Sequence, residues 1–365
     1  KKHIVNKMNG MTYAPHSPVK PKVVVSPGEF LVGVIGLDHG HIYAMATGLL
    51  EAGAEIPLVW DSDSAKIAEF CARFPETGVA PSKETILADP SLSLIASAIV
   101  PHKRAQLGIE ALASGKHFFC DKPGMLSREE VDLVRTAVKK TNKRYFIYFG
   151  ERFHVEGSIY TERLIKEGKL GDIVSMTLLA PHRLNKASRP AWFFNPSEGG
   201  GILTDIGSHQ IEQFLTYTGA TSANVLSSSV ANYANSEHPD FYDFGQCLLV
   251  NEHGVTGYVR VDWFTPDGLG AWGDGRLFIV GTKATIEVRK YLDVATSTEG
   301  DQIYLVDHEG EHHIQVHGTL GYPFFGEMIR DCLDGTEEAV GQQHTFRAME
   351  LAIEAQEKAT ILTQC

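Results

Sequence analysis

From residue 31 to about 150, short apolar runs alternate with segments of helical period, and few folds accept that alternation. "FLVGVIG", "AEIPLVWD", "LSLIASAIV", "HFFCDKPG" and "RYFIYFG" read as strands. Between them "HIYAMATGLLEAG", "SAKIAEFCARFP", "KRAQLGIEALASG" and "SREEVDLVRTAVKKTN" read as helices, the first three closed by Gly53, Pro75 and Gly115. Continuous apolar strands separated by helices specify a parallel, doubly wound sheet with helices on both faces.

The texture changes after 150. One helix, "HVEGSIYTERLIKEG", leads into "DIVSMTLLAPH", and a Gly-rich turn opens the helix "GGGILTDIGSHQIEQFLTYTG". Seven strand-like runs follow, from "NVLSSSVANY" to "HHIQVH", with hairpin-like turns such as "NEHG" and "DHEG". They predict a large, mainly antiparallel open sheet, followed by a C-terminal helix in "FRAMELAIEAQEKATIL". The α/β reading is therefore an extended arm over 1–29, which carries four prolines, a dinucleotide-binding Rossmann domain over 30–150, and an α+β domain over 151–365. With 43% hydrophobic residues the chain has enough apolar surface for both cores.

Charge narrows the partners. Lys and Arg number 33 against 45 Asp and Glu, a net −12, which repels nucleic acid and gains nothing at an anionic membrane. Five widely spaced cysteines form no CxxC pair and fit reduced thiols in a cytoplasmic protein. No apolar run approaches the ~18 residues of a membrane span.

The stretch "GVIGLDHGHIYAM" begins as a nucleotide-binding turn and then departs from one. In a dinucleotide fold the first glycine makes the turn, the second admits the pyrophosphate and the third lets the helix pack close. Gly36 keeps the first role, but Asp38 and His41 stand at the other two positions, with Leu37 and His39 between them and a displaced Gly40. Gly40 can supply the close approach from a shifted loop, and His41 can face phosphate or substrate. Asp61 follows the second strand about 25 residues on, where a carboxylate accepts both adenosine ribose hydroxyls and repels a 2′-phosphate. NAD is therefore expected rather than NADP; the alternative is that Asp61 and Ser62 only cap the next helix.

Three further motifs carry a resemblance. "GIEALASGKHFFCDKPG", "RFHVEGSIYTERLIKEGKLGDI" and "EGGGILTDIGSHQIEQFLTYTG" resemble, in this order, signatures of the glucose-fructose oxidoreductase / inositol dehydrogenase (Gfo/Idh/MocA) family. Asp121 replaces that family's usual Glu before Lys122-Pro123, and Glu212 stands where Asp is common. In "VPHKRAQ", His102 is near the family's Asn position and Arg104 near its His, after Val100 and Pro101. The resemblance spans roughly 31–360. It implies an NAD(P)-dependent oxidoreductase acting on a sugar, polyol or derivative, with Lys122, Asp205 and His209 as the catalytic set. It also implies a homodimer or homotetramer, and a Lys122-Pro123 peptide that is often cis. On chemical grounds Lys122 is the cation near the reacting oxygen, His209 the proton acceptor and Asp205, four residues before it, the orienting carboxylate.

Contacts to the cofactor are expected from Gly36 to His41, Asp61, Ser62, Val100, Pro101, His102, Arg104, Asp121, Lys122 and Arg152, with Glu151 beside the last. The loop "PHRLNKASRPAWFF" offers His182, Arg183, Arg189 and Trp192 to substrate: an arginine for a carboxylate, the indole for a sugar ring. No metal is expected, since Asp205 and His209 have no third ligand near them in sequence. The same three residues could serve a redox-assisted glycoside hydrolase, and a ligand-sensing relative without catalysis is the alternative from another class.

Overall fold

Each apolar run of the first half becomes a strand of one sheet, and all but the second, Glu55–Trp60, are almost wholly buried. The computed structural model describes Pro15 and residues 17–363. Strands β1 (Leu31–Ile35), β2 (Glu55–Trp60), β3 (Gly78–Val79), β4 (Leu94–Ser97), β5 (His117–Asp121) and β6 (Tyr145–Tyr148) lie in the order β3-β2-β1-β4-β5-β6. Every pairing is parallel. The connecting helices are α1 (His41–Glu51), α2 (Ser64–Arg73), α3 (Lys83–Ala88), α4 (Arg104–Ala113) and α5 (Arg128–Thr141). Strand order reverses between β1 and β4, so a crevice opens at their carboxyl ends, the place where such sheets bind ligands. The strand β3 and helix α3 lie outside the sequence expectation, being too short for a period to show.

The helix expected over 154–168 is α7 (Glu156–Lys166), and a turn of helix that the sequence did not suggest, α6 (Gly150–Phe153), precedes it. Strands β7 (Ile173–Pro181), β8 (Ala223–Ala231), β9 (Phe244–Asn251), β10 (Thr256–Asp262), β11 (Arg276–Gly281), β12 (Ala284–Arg289), β13 (Gln302–Asp307) and β14 (Glu311–Gln315) form the second sheet with β15 (Thr360–Ile361). Their order is β14-β13-β12-β11-β7-β10-β9-β8-β15. Most pairs are antiparallel; β7 with β10 and β8 with β15 are parallel.

Along β7 the buried residues Met176, Leu178 and Ala180 alternate with partly exposed ones, so one face looks inward. Two helices, α9 (Ile202–Asp205) and α10 (Gly207–Thr218), cover that face, preceded by the single turn α8 (Pro196–Gly199). Helix α10 lies so close to β10 that a Cβ on Gly257 would meet the Phe214 ring at 2.6 Å. Helix α11 (Phe324–Asp334) packs its Phe325 against Gly48 of α1. The C-terminal helix, expected over 346–362, is α12 (Gln342–Glu357); its last expected turn is instead β15, which joins the edge of the sheet at β8.

Residues 17–29 lie against their own subunit. The Val24 N–H donates to the Ala52 carbonyl, and Val19 and Val24 pass beside Gly321 and Gly326. The rest of the expected arm, 1–14 and 16, falls outside the described residues.

Candidate active site

The turn after β5 places Lys122 at the carboxyl edge of the parallel sheet, and the Lys122-Pro123 peptide is cis. The turn is gripped from behind by Arg104, whose side chain is fully buried. Arg104 Nη1 donates to the carbonyls of Asp121, Lys122 and Pro123 at 3.2, 2.7 and 3.1 Å, and Nε to that of Ile99 at 2.6 Å. Arg104, expected at the cofactor, borders the cleft with its guanidinium bonded to backbone carbonyls.

Lys122 Nζ donates to Asp205 Oδ1 at 2.6 Å. The lysine is 6% exposed and Asp205 22%, so the pair opens on the Asp205 side. Asp205 ends α9, Ile206 keeps helical angles, and His209 sits in the first turn of α10, which puts both residues on one side as their spacing predicts. His209 is buried, its Nδ1 has no hydrogen-bond partner among the described residues, and its Nε2 lies 3.5 Å from Glu151 Oε2. Burial, followed by the nearby charge of Lys122, presses the His209 pKa well below 6.5, so its imidazole is neutral at pH 7. These groups line a cleft between the two sheets.

The far wall is aromatic. Trp192, Phe193, Trp263, Trp272 and Tyr291 line it, with His182 between Trp263 and Trp272 at ring distances of 5.3 and 4.5 Å. Arg189 lies over the rings of Phe193 and Trp263, and burial lowers its pKa to about 10. Arg189 and Arg183 both border the cleft while donating to carbonyls, Arg189 to Leu184 and Arg183 to Leu269. Pro15 also lines the cleft. Of these residues Trp263, Trp272, Tyr291 and Pro15 escaped sequence reasoning, because they lie outside every motif singled out; His154, also in the lining, lies within one but was not marked as a site residue.

A second groove, bordered by Gly36, Asp38, Trp60, Asp61, Ser62, Val100, His102 and Lys103, continues from the first; Trp192 borders both. Gly36 has φ +89°, and a Cβ there would meet Ile99 Cβ at 2.5 Å, so glycine is required where β1 leaves the sheet. Asp61 is buried and accepts the N–H groups of Leu37 and Asp63 at 2.7 and 2.8 Å. The cap of α2 is Asp63, which accepts the Ala65 N–H, so the capping alternative for Asp61 and Ser62 is corrected. His102 has a buried Nδ1 without a partner among the described residues. A groove at the strand switch, a buried carboxylate after β2, and orphaned imidazole nitrogens in both halves fit an extended dinucleotide.

Several expected contacts stand apart from this groove. Leu37 packs in the core and Gly40 caps α1. Arg152 is turned away: it makes three hydrogen bonds of 2.5–3.0 Å to Glu212 and contacts Glu162. Burial opposes charge on Glu212, but Arg152 and His344 outweigh it and bring the carboxyl down to about 2, so this pair is structural. The expectation of Arg152 at the cofactor is corrected by that pairing.

Asp121 is fully buried and reaches neither cavity. His41 Nδ1 lies 2.8 Å from its Oδ1, His39 Nδ1 3.5 Å and Arg104 3.6 Å from its Oδ2. Burial opposes its charge, yet His41, His39 and Arg104 hold the carboxyl well below the usual range. The ligand atoms of His39, His41 and Asp121 lie within 4.8 Å of one another, a spacing a metal could use and one that sequence reasoning did not single out. Arg104 already supplies a cation to that carboxylate.

Known proteins place the chain. Residues 30–149 match the model of the oxidoreductase family with an NAD-binding Rossmann fold, and residues 160–287 that of the GFO/IDH/MocA C-terminal domain. The crystal structure of a candidate oxidoreductase from Erwinia carotovora atroseptica is 43% identical, with a TM-score of 0.89, over 92% of this chain and 100% of that one. A levoglucosan dehydrogenase solved in complex with NADH shares the fold at 20% identity and a TM-score of 0.73, over 90% and 98% of the two chains. The levoglucosan dehydrogenase of Pseudarthrobacter phenanthrenivorans is 27% identical over 52% of this chain and 50% of its own. The chain spans about half the length, or less, of the first curated relatives it matches. Two family models over most of the chain, on the two sheets that meet at Lys122 and His209, make it a member of the GFO/IDH/MocA oxidoreductase family.

Proposed function

We propose that the protein is an NAD(H)-dependent oxidoreductase acting at a hydroxyl-bearing carbon of a sugar, polyol or derivative. The observation that carries this reading is the meeting of Lys122, Asp205 and His209 in one cleft that continues into the Gly36–Asp61 groove. Gly36, Asp61, Ser62, Val100 and His102 would hold the dinucleotide, which when bound supplies a hydride acceptor or donor.

The chain's own residues do the rest. Lys122 stabilises negative charge developing on the substrate oxygen, and Asp205 fixes the ammonium and accepts a second substrate hydroxyl. His209, neutral at pH 7, takes the hydroxyl proton; Glu151 Oε2, 3.5 Å from its Nε2, steadies the imidazolium so formed. Trp192 and Trp272 offer flat apolar faces to a sugar ring, a reading supported by the sugar dehydrogenases among the relatives. Asp61 disfavours a 2′-phosphate, which selects NAD.

The outer face of the second sheet presents Leu248, Tyr258, Thr177 and Phe278 in register across β9, β10, β7 and β11, a largely apolar row suited to a homodimer or homotetramer.

The test is titration with NAD and NADP, then a sugar and polyol panel read at the nicotinamide absorbance. Lys122→Ala and His209→Gln should each lower turnover by about 10²–10⁴-fold with NAD affinity kept. Turnover within tenfold of wild type in either variant, or a preference for NADP, refutes the assignment.

A further inference from the structure

In a dinucleotide crevice the pyrophosphate rests on N–H groups of the turn after the first strand, and a glycine two places on gives it room. This chain spends three of those groups elsewhere. The Leu37 N–H goes to Asp61 Oδ2, the His39 N–H to the Ala98 carbonyl at 3.0 Å, and the His41 N–H to His39 Nδ1 at 3.1 Å. At the glycine position stands Asp38, and its carboxylate does not turn away to solvent. It crosses the crevice: Oδ2 accepts the Val100 N–H from the far lip at 2.8 Å, and Oδ1 accepts Lys66 Nζ at 2.7 Å. An oxyanion thus sits between an ammonium and a backbone N–H at the switch point of the sheet, the donor arrangement a phosphate oxygen uses.

Lys66 comes from the first turn of α2 and is about one-third exposed, so it can follow a ligand without unfolding anything. Burial works against its ammonium; the hydrogen bond and charge of Asp38, then Asp61 and Asp63, outweigh burial and raise its pKa. Lys66 meets the groove through Asp38, whereas Lys103 borders it directly.

We propose that Lys66 and the Val100 N–H are the donors for the cofactor's pyrophosphate, and that the Asp38 carboxylate is a built-in competitor for both. This rests on the NAD reading above and adds the pair of residues that sets affinity. A carboxylate and a pyrophosphate cannot share one ammonium at contact without strong repulsion, so Asp38 must give way as the dinucleotide enters. The substitution of acid for glycine then tunes the cofactor toward weak, exchangeable binding rather than abolishing the site.

Calorimetric titration of the full chain with NAD, NADP, ADP-ribose and adenosine tests this. Asp38→Asn keeps the side chain's shape and removes its charge; it should tighten NAD and ADP-ribose by about tenfold. Lys66→Met should weaken both by about the same factor, Lys66→Arg should retain binding, and adenosine should bind all variants alike. NAD affinity indifferent to Lys66→Met, a loss confined to NADP, or a loss that appears in Lys103→Met instead overturns the proposal while leaving the cofactor reading intact. Wild-type protein that binds none of the phosphate-bearing ligands overturns both. Circular dichroism of each variant separates lost binding from lost fold, and Asp38→Asn carries the decision if Lys66→Met does not fold.

Discussion

Replacing Arg104 by Met isolates the difference between a cofactor contact and a structural clamp. The guanidinium makes four bonds to carbonyls in the dry space under the Lys122 turn, and its Nη2 stands 3.6 Å from Asp121 Oδ2. Hydrogen bonds from a charged donor contribute about 1.5–3 kcal/mol each, so the two short ones alone, to Ile99 and Lys122, amount to about 3–6 kcal/mol. Removing one partner of a buried ion pair costs about 3–5 kcal/mol by itself. These contributions overlap, because the orphaned groups relax together, and the expected loss for Arg104→Met is about 3–5 kcal/mol. That is a large share of a total that in most proteins is about 5–15 kcal/mol. Urea denaturation followed by tryptophan fluorescence measures it, and the melting temperature should fall by about 10 °C. Arg104→Lys, which keeps the charge but cannot span four carbonyls, should fall between. A variant within about 1 kcal/mol of wild type that has lost NAD affinity would refute the clamp and restore Arg104 to the cofactor.

Other outcomes follow from the same geometry. Burial lowers the His117 pKa to about 4 and the His154 pKa to about 3, while the unfolded chain takes up protons near 6.5. Between those values the unfolded state binds more protons, so stability should fall as pH drops from 7 toward 4. At pH 4.5 the His117 share is about 2–3 kcal/mol, and His117→Asn should flatten that part of the denaturation profile. Because His209 is also pressed below 6.5, alcohol oxidation should persist below pH 6 before its base is protonated, as a pH–rate profile would show. Gly36→Ala forces a Cβ onto Ile99 at a positive φ and should cost at least 1–3 kcal/mol by thermal melting. Arg152→Met should destabilise by about 3–5 kcal/mol and leave NAD affinity unchanged in the folded fraction, since its carboxylate partner Glu212 lies in the core.

What could be read from the residues alone was whatever depends on local period and short-range spacing. The five longer strands of the first sheet are continuous apolar runs, and Asp205 and His209 lie one helical turn apart, so both were legible. The meeting of Lys122 with Asp205 spans 83 positions and was accessible only through the family resemblance. A match to a family motif places Arg104 at the cofactor and a position after a strand places Arg152 there, yet neither says which way a long side chain turns. One points under the sheet edge, the other to Glu212, a carboxylate 60 residues on. Similarly, Asp61, Ser62 and Asp63 are indistinguishable as caps in sequence; the path of the chain after β2 gives the role to Asp63. The wall from Trp263, Trp272 and Tyr291 carries no pattern, because its order comes from strands that meet only after the second sheet has formed.

Pro15 deserves a last consequence. It belongs to a stretch preceding both segments that match the family, yet it forms part of the boundary around Lys122 and His209. Replacing Pro15 therefore reshapes the cleft while Lys122, Asp205 and His209 stay untouched. For the same reason, a version trimmed to the family-matched region would lack that part of the cleft's boundary.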